Sequence, residues 1–311
     1  MSTRIEISEV GPRDGLQSID SIMPLEAKKA WIKAEAEAGV PEIEVGSFVP
    51  AKVLPQLADT AAVVEYAVTI PNLAVAVLVP NARGAANALA AGAHKLTLPL
   101  SVSETHSLKN LNRTHAQVLE EVRQVRAMLD KIPSARRPKF EGSLSTAFGC
   151  TIEGPIAEDT VVRLAAELMA AGADEVGISD TTGYGNPRQV KSMTRAIWAE
   201  VGSENLSGIH LHNTRGQGLA NVLAALDVGL TTIDATLGGL GGCPFAPGAS
   251  GNIVTEDLVF MLEAMGLDTG IDIERLLQVR KLVEAALPGE QMYGFLPEAG
   301  LPKGFEYANP R

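Results

Sequence analysis

Two cysteines, Cys150 and Cys243, in a chain of 311 residues give no disulfide framework. Their scarcity fits a reducing compartment, read here as the cytoplasm. Long apolar runs are missing as well. The most hydrophobic stretch, residues 73–79, is far shorter than the ~20 residues a helix needs to cross a bilayer, so no membrane span is expected. Basic runs are also absent: 26 Lys and Arg stand against 37 Asp and Glu, a net charge of −11. That balance excludes the usual cationic footprint of a nucleic-acid partner, and it leaves any anionic ligand to local cations and helix N-termini. The opening MSTRIEISEVGPRDG has neither a charged-then-apolar leader nor an Arg-rich transit pattern, no G-x-G-x-x-G follows the first β-rich run, and no solenoid repeat is visible.

What is present is an ordinary globular composition, 46% hydrophobic and 20% charged, with a regular rhythm. Eight short β-rich runs cover residues 4–10, 42–46, 73–79, 95–99, 141–147, 175–179, 207–212 and 231–235. Between them lie helical patterns at 24–38, 81–91, 114–130, 158–171, 187–200 and 216–228, several closing on glycine, as at Gly39, Gly92, Gly172 and Gly229. Further helices are expected over 255–265 and 273–286. Eight β-then-α units without a break in composition predict an α/β chain folded as a (β/α)₈ TIM barrel over 1–287, with a short C-terminal extension over 288–311.

In such a barrel the reacting groups stand at the C-terminal ends of the strands. Polar residues cluster there. The first run leads into Arg13 and Asp14, the second carries Glu44 and Ser47, and the sixth ends on Asp180. The seventh holds His210 and His212, and the eighth feeds GGLGGCPFAPGASGN, with Cys243 and Asn252. Singly, Arg13 and Asp14 would suit a surface ion pair, Glu44 a helix cap and Asp180 a turn. The two histidines are more specific, because residues two apart on a strand share a face and can converge on one ion. Two imidazoles with a carboxylate and an amide oxygen suit Mg²⁺ or Mn²⁺, with Zn²⁺ as the alternative. Cys243, on a glycine- and proline-rich loop, is placed for proton transfer rather than for ligation.

Three segments, EVGPRDGLQ (9–17), IEVGSFVPAKVLPQLAD (43–59) and the Cys243 loop, resemble the 3-hydroxy-3-methylglutaryl-CoA (HMG-CoA) lyase family of metal-dependent TIM-barrel lyases and condensing enzymes. The resemblance implies metal ligation by Asp14, His210, His212 and Asn252, a catalytic Arg13, a loop thiol at Cys243, and acidic site residues at Glu44 and Asp180. It further implies an acyl-CoA substrate, a homodimer, and scission of the C2–C3 bond of a 3-hydroxyacyl-CoA. His210 is the expected proton acceptor, with Asp14 as the rival. Arg13 would stabilise the developing enolate oxygen, an effect often worth about 3–4 kcal/mol where single donors have been removed.

The chain departs from the family pattern near the acyl pocket. Asn213-Thr214-Arg215 replaces an Asp and an aromatic, Thr151 and Ile152 stand where Pro and Tyr are common, and His106 takes the place of an aromatic in a loop. Asp20 lies near the place of an expected lysine. Arg215 is accordingly expected at the mouth, selecting an acyl carboxylate, with Ser47 and Arg13 also on the substrate. Two rival functions remain open on the same scaffold. A condensing transferase would join acetyl-CoA to a 2-oxo acid and usually carries a C-terminal regulatory domain. An aldolase-like or non-catalytic relative would work without CoA or without metal.

Overall fold

The computed structural model describes residues 3–241 and 251–309. Eight parallel strands close into a barrel in chain order: β1 (Glu6–Glu9), β2 (Glu42–Ser47), β3 (Ala74–Leu78), β4 (Lys95–Ser101), β5 (Lys139–Ser145), β6 (Glu175–Asp180), β7 (Gly208–Leu211) and β8 (Thr232–Ala235). β8 pairs back onto β1, with Glu6 opposite Thr232 and Glu9 opposite Ala235, so the sheet has no open edge. The expected TIM barrel is the observed one.

The helices are α1 (Leu25–Glu37), α2 (Thr60–Ala67), α3 (Ala82–Ala91), α4 (Glu104–Leu111), α5 (His115–Leu129), α6 (Glu158–Ala171), α7 (Pro187–Val201), α8 (Gly218–Val228), α9 (Thr255–Ala264), α10 (Ile273–Ala286) and α11 (Leu296–Ala299). Their starts are written locally. Asn81 caps α3 through the Gly84 amide, Thr114 and Gln117 form a reciprocal capping box on α5, and Asn186 caps α7 just ahead of Pro187. α2 was not anticipated, and α4 corrects the reading of a loop at His106. Ser103 caps that helix by accepting the His106 amide at 3.1 Å. After α1 the chain turns at Gly39, whose φ is +101° and where a Cβ would meet the Gly270 carbonyl oxygen at 2.2 Å.

Apolar faces of the helices pack on the outer face of the barrel, with Trp31 and Ile32 of α1, Val63 of α2, Leu164 and Leu168 of α6 and Ile197 of α7 all buried. The lumen is different. Branched apolar side chains usually fill a barrel of this size, but here Glu42, Glu44, Lys95, Glu141, Ser143, His210 and Asp234 line a cavity of about 650 Å³ that opens at the mouth. Lys95 Nζ sits 2.8 Å from Glu141, 3.4 Å from Glu175 and 3.5 Å from Glu42. The C-terminal segment packs back on the barrel: the Tyr293 amide donates to the Gly238 carbonyl at 2.7 Å, and the Ala308 amide to Glu263 at 2.9 Å. Among the described residues, no helix is long and apolar enough to cross a membrane.

Candidate active site

β1 ends in a single wide turn of π-helix, Gly11–Gly15, in which the Asp14 and Gly15 amides donate to the Val10 carbonyl at 2.7 and 3.4 Å. This turn carries Arg13 and Asp14 to the barrel mouth. Gly11 is required by close approach, since a Cβ there would lie 2.5 Å from Glu9 Oε1 and 2.8 Å from the Trp31 ring. Glu9 braces the turn from below. Its Oε1 accepts the Gly11 and Leu237 amides at 2.8 and 2.9 Å, and its Oε2 accepts the Thr255 hydroxyl at 2.7 Å. Burial nonetheless pushes its pKa up to about 8 against those bonds.

Arg13 donates through Nε to Glu44 Oε2, and through Nη1 to Asp14 Oδ1 at 2.5 Å. Burial opposes the charge on Arg13, but Glu44 and Asp14 outweigh it and hold the guanidinium charged. Burial also raises Glu44 to about 7, with Arg13 pulling the other way, and Glu44 Oε1 is buried without a hydrogen-bond partner. Burial of Asp14 is overcome by Arg13 and then by the two histidines, so its carboxyl is held well below the usual range. Gln17 adds a donor to Asp14 Oδ1 at 2.9 Å.

β7 and the residue after it supply the imidazoles. His210 Nε2 lies 3.1 Å from His212 Nε2 and 3.9 Å from Asp14 Oδ2, while His210 Nδ1 meets Asp234 Oδ2 at 3.1 Å. Burial lowers the pKa of His210, yet Asp234 and Asp14 overcome this and raise it; burial and then His210 push His212 down to about 4. A bridge between His212 and Asn252 brings the amide in from beyond the glycine-rich loop. Asn252 Nδ2 donates to Asp14 Oδ2 at 2.7 Å, and its buried Oδ1 has no partner among the described residues.

Ligand atoms of Asp14, His210 and His212 all lie within 4.8 Å of one another. Two imidazole lone pairs facing at 3.1 Å need a proton or a cation between them. With the orphaned Asn252 oxygen, the set offers two nitrogens and two oxygens, which fits a divalent cation.

The remaining expected site residues are placed differently. Both Asp180 oxygens accept loop amides, from Tyr184 and Gly185 at 2.9 Å, and burial raises its pKa to about 6 despite them. Asp180 thus orders the loop after β6 and is not among the residues that line the cavity. Ser47 is buried, its Oγ accepting the Val49 amide at 3.3 Å. It shapes the turn after β2 and is likewise outside the lining. Arg215, expected to reach for substrate, donates to the Thr182 and Gly183 carbonyls at 2.9 and 3.1 Å and stacks 4.5 Å over Tyr184. Cys243 lies outside the described residues. His106 does line the cavity, together with Arg113, and its Nδ1 is 2.9 Å from Ser101 Oγ. Gln17 and Asp234 were not anticipated. Aligning the seventh and eighth runs in register would have set Asp234 beside His210.

A closed (β/α)₈ barrel that gathers an arginine, a carboxylate, two imidazoles and an amide at the mouth of a polar lumen defines a barrel enzyme with a candidate divalent-cation site. The relationship is narrower than that class. The HMGL-like family, an enzyme family of the lyase class, matches residues 4–283, and the chain belongs to it. It is 40% identical to the hydroxymethylglutaryl-CoA lyase of Bacillus subtilis over 281 residues, covering 90% of this chain and 92% of that one. It is also 40% identical to the mitochondrial hydroxymethylglutaryl-CoA lyase of Mus musculus over 284 residues, 91% and 86% of the two chains. An HMG-CoA lyase from Acinetobacter baumannii, solved in complex with coenzyme A and 3-methylmalate, superposes with a TM-score of 0.89 at 40% identity, covering 97% of each chain.

Proposed function

We propose that this protein is a carbon–carbon lyase that cleaves 3-hydroxy-3-methylglutaryl-CoA, or a close 3-hydroxyacyl-CoA, to acetyl-CoA and a 3-oxo acid, acetoacetate for the named substrate. The observation that carries the reading is the joining of Arg13, Asp14, His210, His212 and Asn252 in one cluster at the mouth of a barrel 40% identical to HMG-CoA lyases. Asp14, His210, His212 and Asn252 Oδ1 would hold Mg²⁺ or Mn²⁺, with Zn²⁺ also compatible with the donors. A bound divalent cation would acidify a substrate hydroxyl and polarise oxygen.

The chain's own residues supply the rest. The reaction removes the proton of the C3 hydroxyl, breaks C2–C3 and leaves the electron pair as a thioester enolate. His210 was the expected proton acceptor, but it has a single uncommitted nitrogen, and that nitrogen is its ligand atom. Asp14 has two oxygens. It can serve the metal centre with Oδ2 and take the hydroxyl proton on Oδ1, where Gln17 would remain as a donor at 2.9 Å once the Arg13 guanidinium, now at 2.5 Å, turns to the enolate oxygen. As Arg13 turns to the enolate, Asp14 loses its strongest acidifying partner and becomes a better base. Glu44, which accepts from Nε, would anchor Arg13 as it turns. Cys243, in the glycine- and proline-rich sequence that follows β8, is assigned the protonation of C2. Among acyl-pocket residues, His106 and Arg113 are better placed than Arg215 to read the substrate, since both line the cavity.

The proposal includes a catalytic barrel over 1–287 with 288–311 as its extension, a homodimer, and a reducing cytoplasmic setting, which the scarcity of cysteine supports. The test is incubation of the full chain with a panel of 3-hydroxyacyl-CoA thioesters, with and without chelator, following acetyl-CoA. Chelator-sensitive acetyl-CoA release from the HMG thioester is expected. Release from none of the panel, or release that chelation leaves untouched, overturns the reading.

A further inference from the structure

We infer that Asp234 is a positioning residue of the metal centre, holding His210 in the tautomer that turns an Nε2 lone pair toward Asp14 and His212. β7 and β8 pair with His210 opposite Asp234, so both side chains project from the same face into the lumen. Asp234 Oδ2 stands 3.1 Å from His210 Nδ1. An ionised carboxylate only accepts hydrogen bonds, so the proton of a neutral His210 sits on Nδ1 and Nε2 is left bare.

His212 lacks such support. Its Nδ1 is buried with no hydrogen-bond partner among the described residues, so none of them selects its tautomer on that side. The two imidazoles, equivalent by spacing, are therefore unequal by surroundings: one is oriented and made more electron-rich by a carboxylate, the other is held by packing and by its bridge to Asn252. Asp234 acts through His210. This inference rests on the assignment of Asp14, His210 and His212 as ligands and is independent of which thioester is cleaved.

The experiment is Mn²⁺ binding to the metal-free, full-length protein, read by the electron paramagnetic resonance of free Mn²⁺ with no substrate present. It is run on wild type, Asp234→Ala and Asp234→Asn, alongside ¹⁵N shifts of the His210 ring and thermal midpoints. Loss of a carboxylate behind a ligating histidine typically weakens metal binding by about 10–100-fold, and that loss is expected for Asp234→Ala. Asp234→Asn, which keeps an acceptor oxygen without the charge, should fall between. The wild-type spectrum should show His210 protonated at Nδ1, and Asp234→Ala should show mixed tautomers. Binding by a folded Asp234→Ala within about twofold of wild type overturns the inference, as does a wild-type His210 protonated at Nε2. If Asp234→Ala fails to fold, the Asn variant and the wild-type spectrum still decide. Wild type that binds no Mn²⁺ overturns the ligand assignment and the inference together, whereas failure of lyase activity alone touches neither.

Discussion

At the scale of single residues, Arg13 does two jobs that different atoms perform. Its Nε is paired with Glu44 while Nη1 is paired with Asp14, so the fork of the guanidinium holds two carboxylates at once. A lysine reproduces this poorly, because its ammonium is a point charge without the planar fork that spans Glu44 and Asp14 in fixed geometry. Arg13→Lys is expected to lower kcat by roughly 10²–10³, the cost of losing a preorganised donor, with a much smaller change in KM. Steady-state kinetics on the HMG thioester would check it. A variant with wild-type kcat and raised KM would make Arg13 a binding residue only. Arg13, Asp14 and the two histidines were legible because barrel strand ends concentrate polar groups and the H-x-H spacing fixes a shared face. Asp234 was not, since an isolated Asp on a strand acquires meaning only from its cross-strand neighbour. Asp180 and Arg215 were less legible for the converse reason: residue type at a strand end does not tell whether the loop's own amides and carbonyls will engage the side chain.

At the scale of elements, the turn after β1 is held by a buried acidic cluster that the helical and strand patterns did not announce. Glu9 on β1, Glu35 on α1 and Glu256 on α9 are all buried, and a single cation, Arg280 of α10, reaches Glu256 at 2.9 Å. Neither oxygen of Glu35 has a hydrogen-bond partner. Burial raises the pKa of Glu9 to about 8 and that of Glu35 well above the ordinary range, with Glu9 adding to the latter. A carboxyl whose folded pKa exceeds its unfolded one binds more protons folded than unfolded. Its contribution to stability is therefore full below the unfolded value and is lost as pH rises through the folded value. The slope for one such group is roughly −1.4 kcal/mol per pH unit between those limits. Glu9→Gln keeps an oxygen for the Gly11 and Leu237 amides and offers an NH₂ to Thr255, so it mimics the protonated acid. Its stability should decline less steeply than that of wild type between pH 5 and 8, the window set by an unfolded value of 4.5 and a folded value of about 8. Denaturant melts at three pH values would check this; parallel profiles would exclude a protonated Glu9. Among the elements, α2 and α4 escaped the sequence reading because each is eight residues long. Helices that short owe their existence to packing and caps more than to their own propensity.

At the scale of the whole molecule, the barrel was legible from the count of β/α units, but its charged lumen was not. Lys95, Glu42, Glu141 and Glu175 belong to four strands, and they meet through the parallel pairing of neighbouring strands, which sets Glu141 beside Glu175 and beside Thr97, two residues from Lys95. Three carboxylates converge on one ammonium in a space that other barrels fill with apolar side chains. Burial opposes the charge on Lys95, but Glu141, Glu42 and Glu175 outweigh it and hold its pKa well above the ordinary lysine value. Removing the cation strands Glu141 and leaves Glu42 with the Ser8 hydroxyl, while Glu175 keeps Lys139: Lys95→Met should destabilise the fold by about 3 kcal/mol, the low end of the range for breaking a buried pair on one side only. Lys95→Met combined with Glu141→Gln removes one stranded charge and should recover part of that loss, because a buried pair replaced on both sides is often close to neutral. Thermal or denaturant melts of the two variants measure the difference. Equal destabilisation in both would mean that Lys95 contributes through its packed aliphatic stem, and an unchanged midpoint in Lys95→Met would mean that water in the cavity already carries the balance of charge.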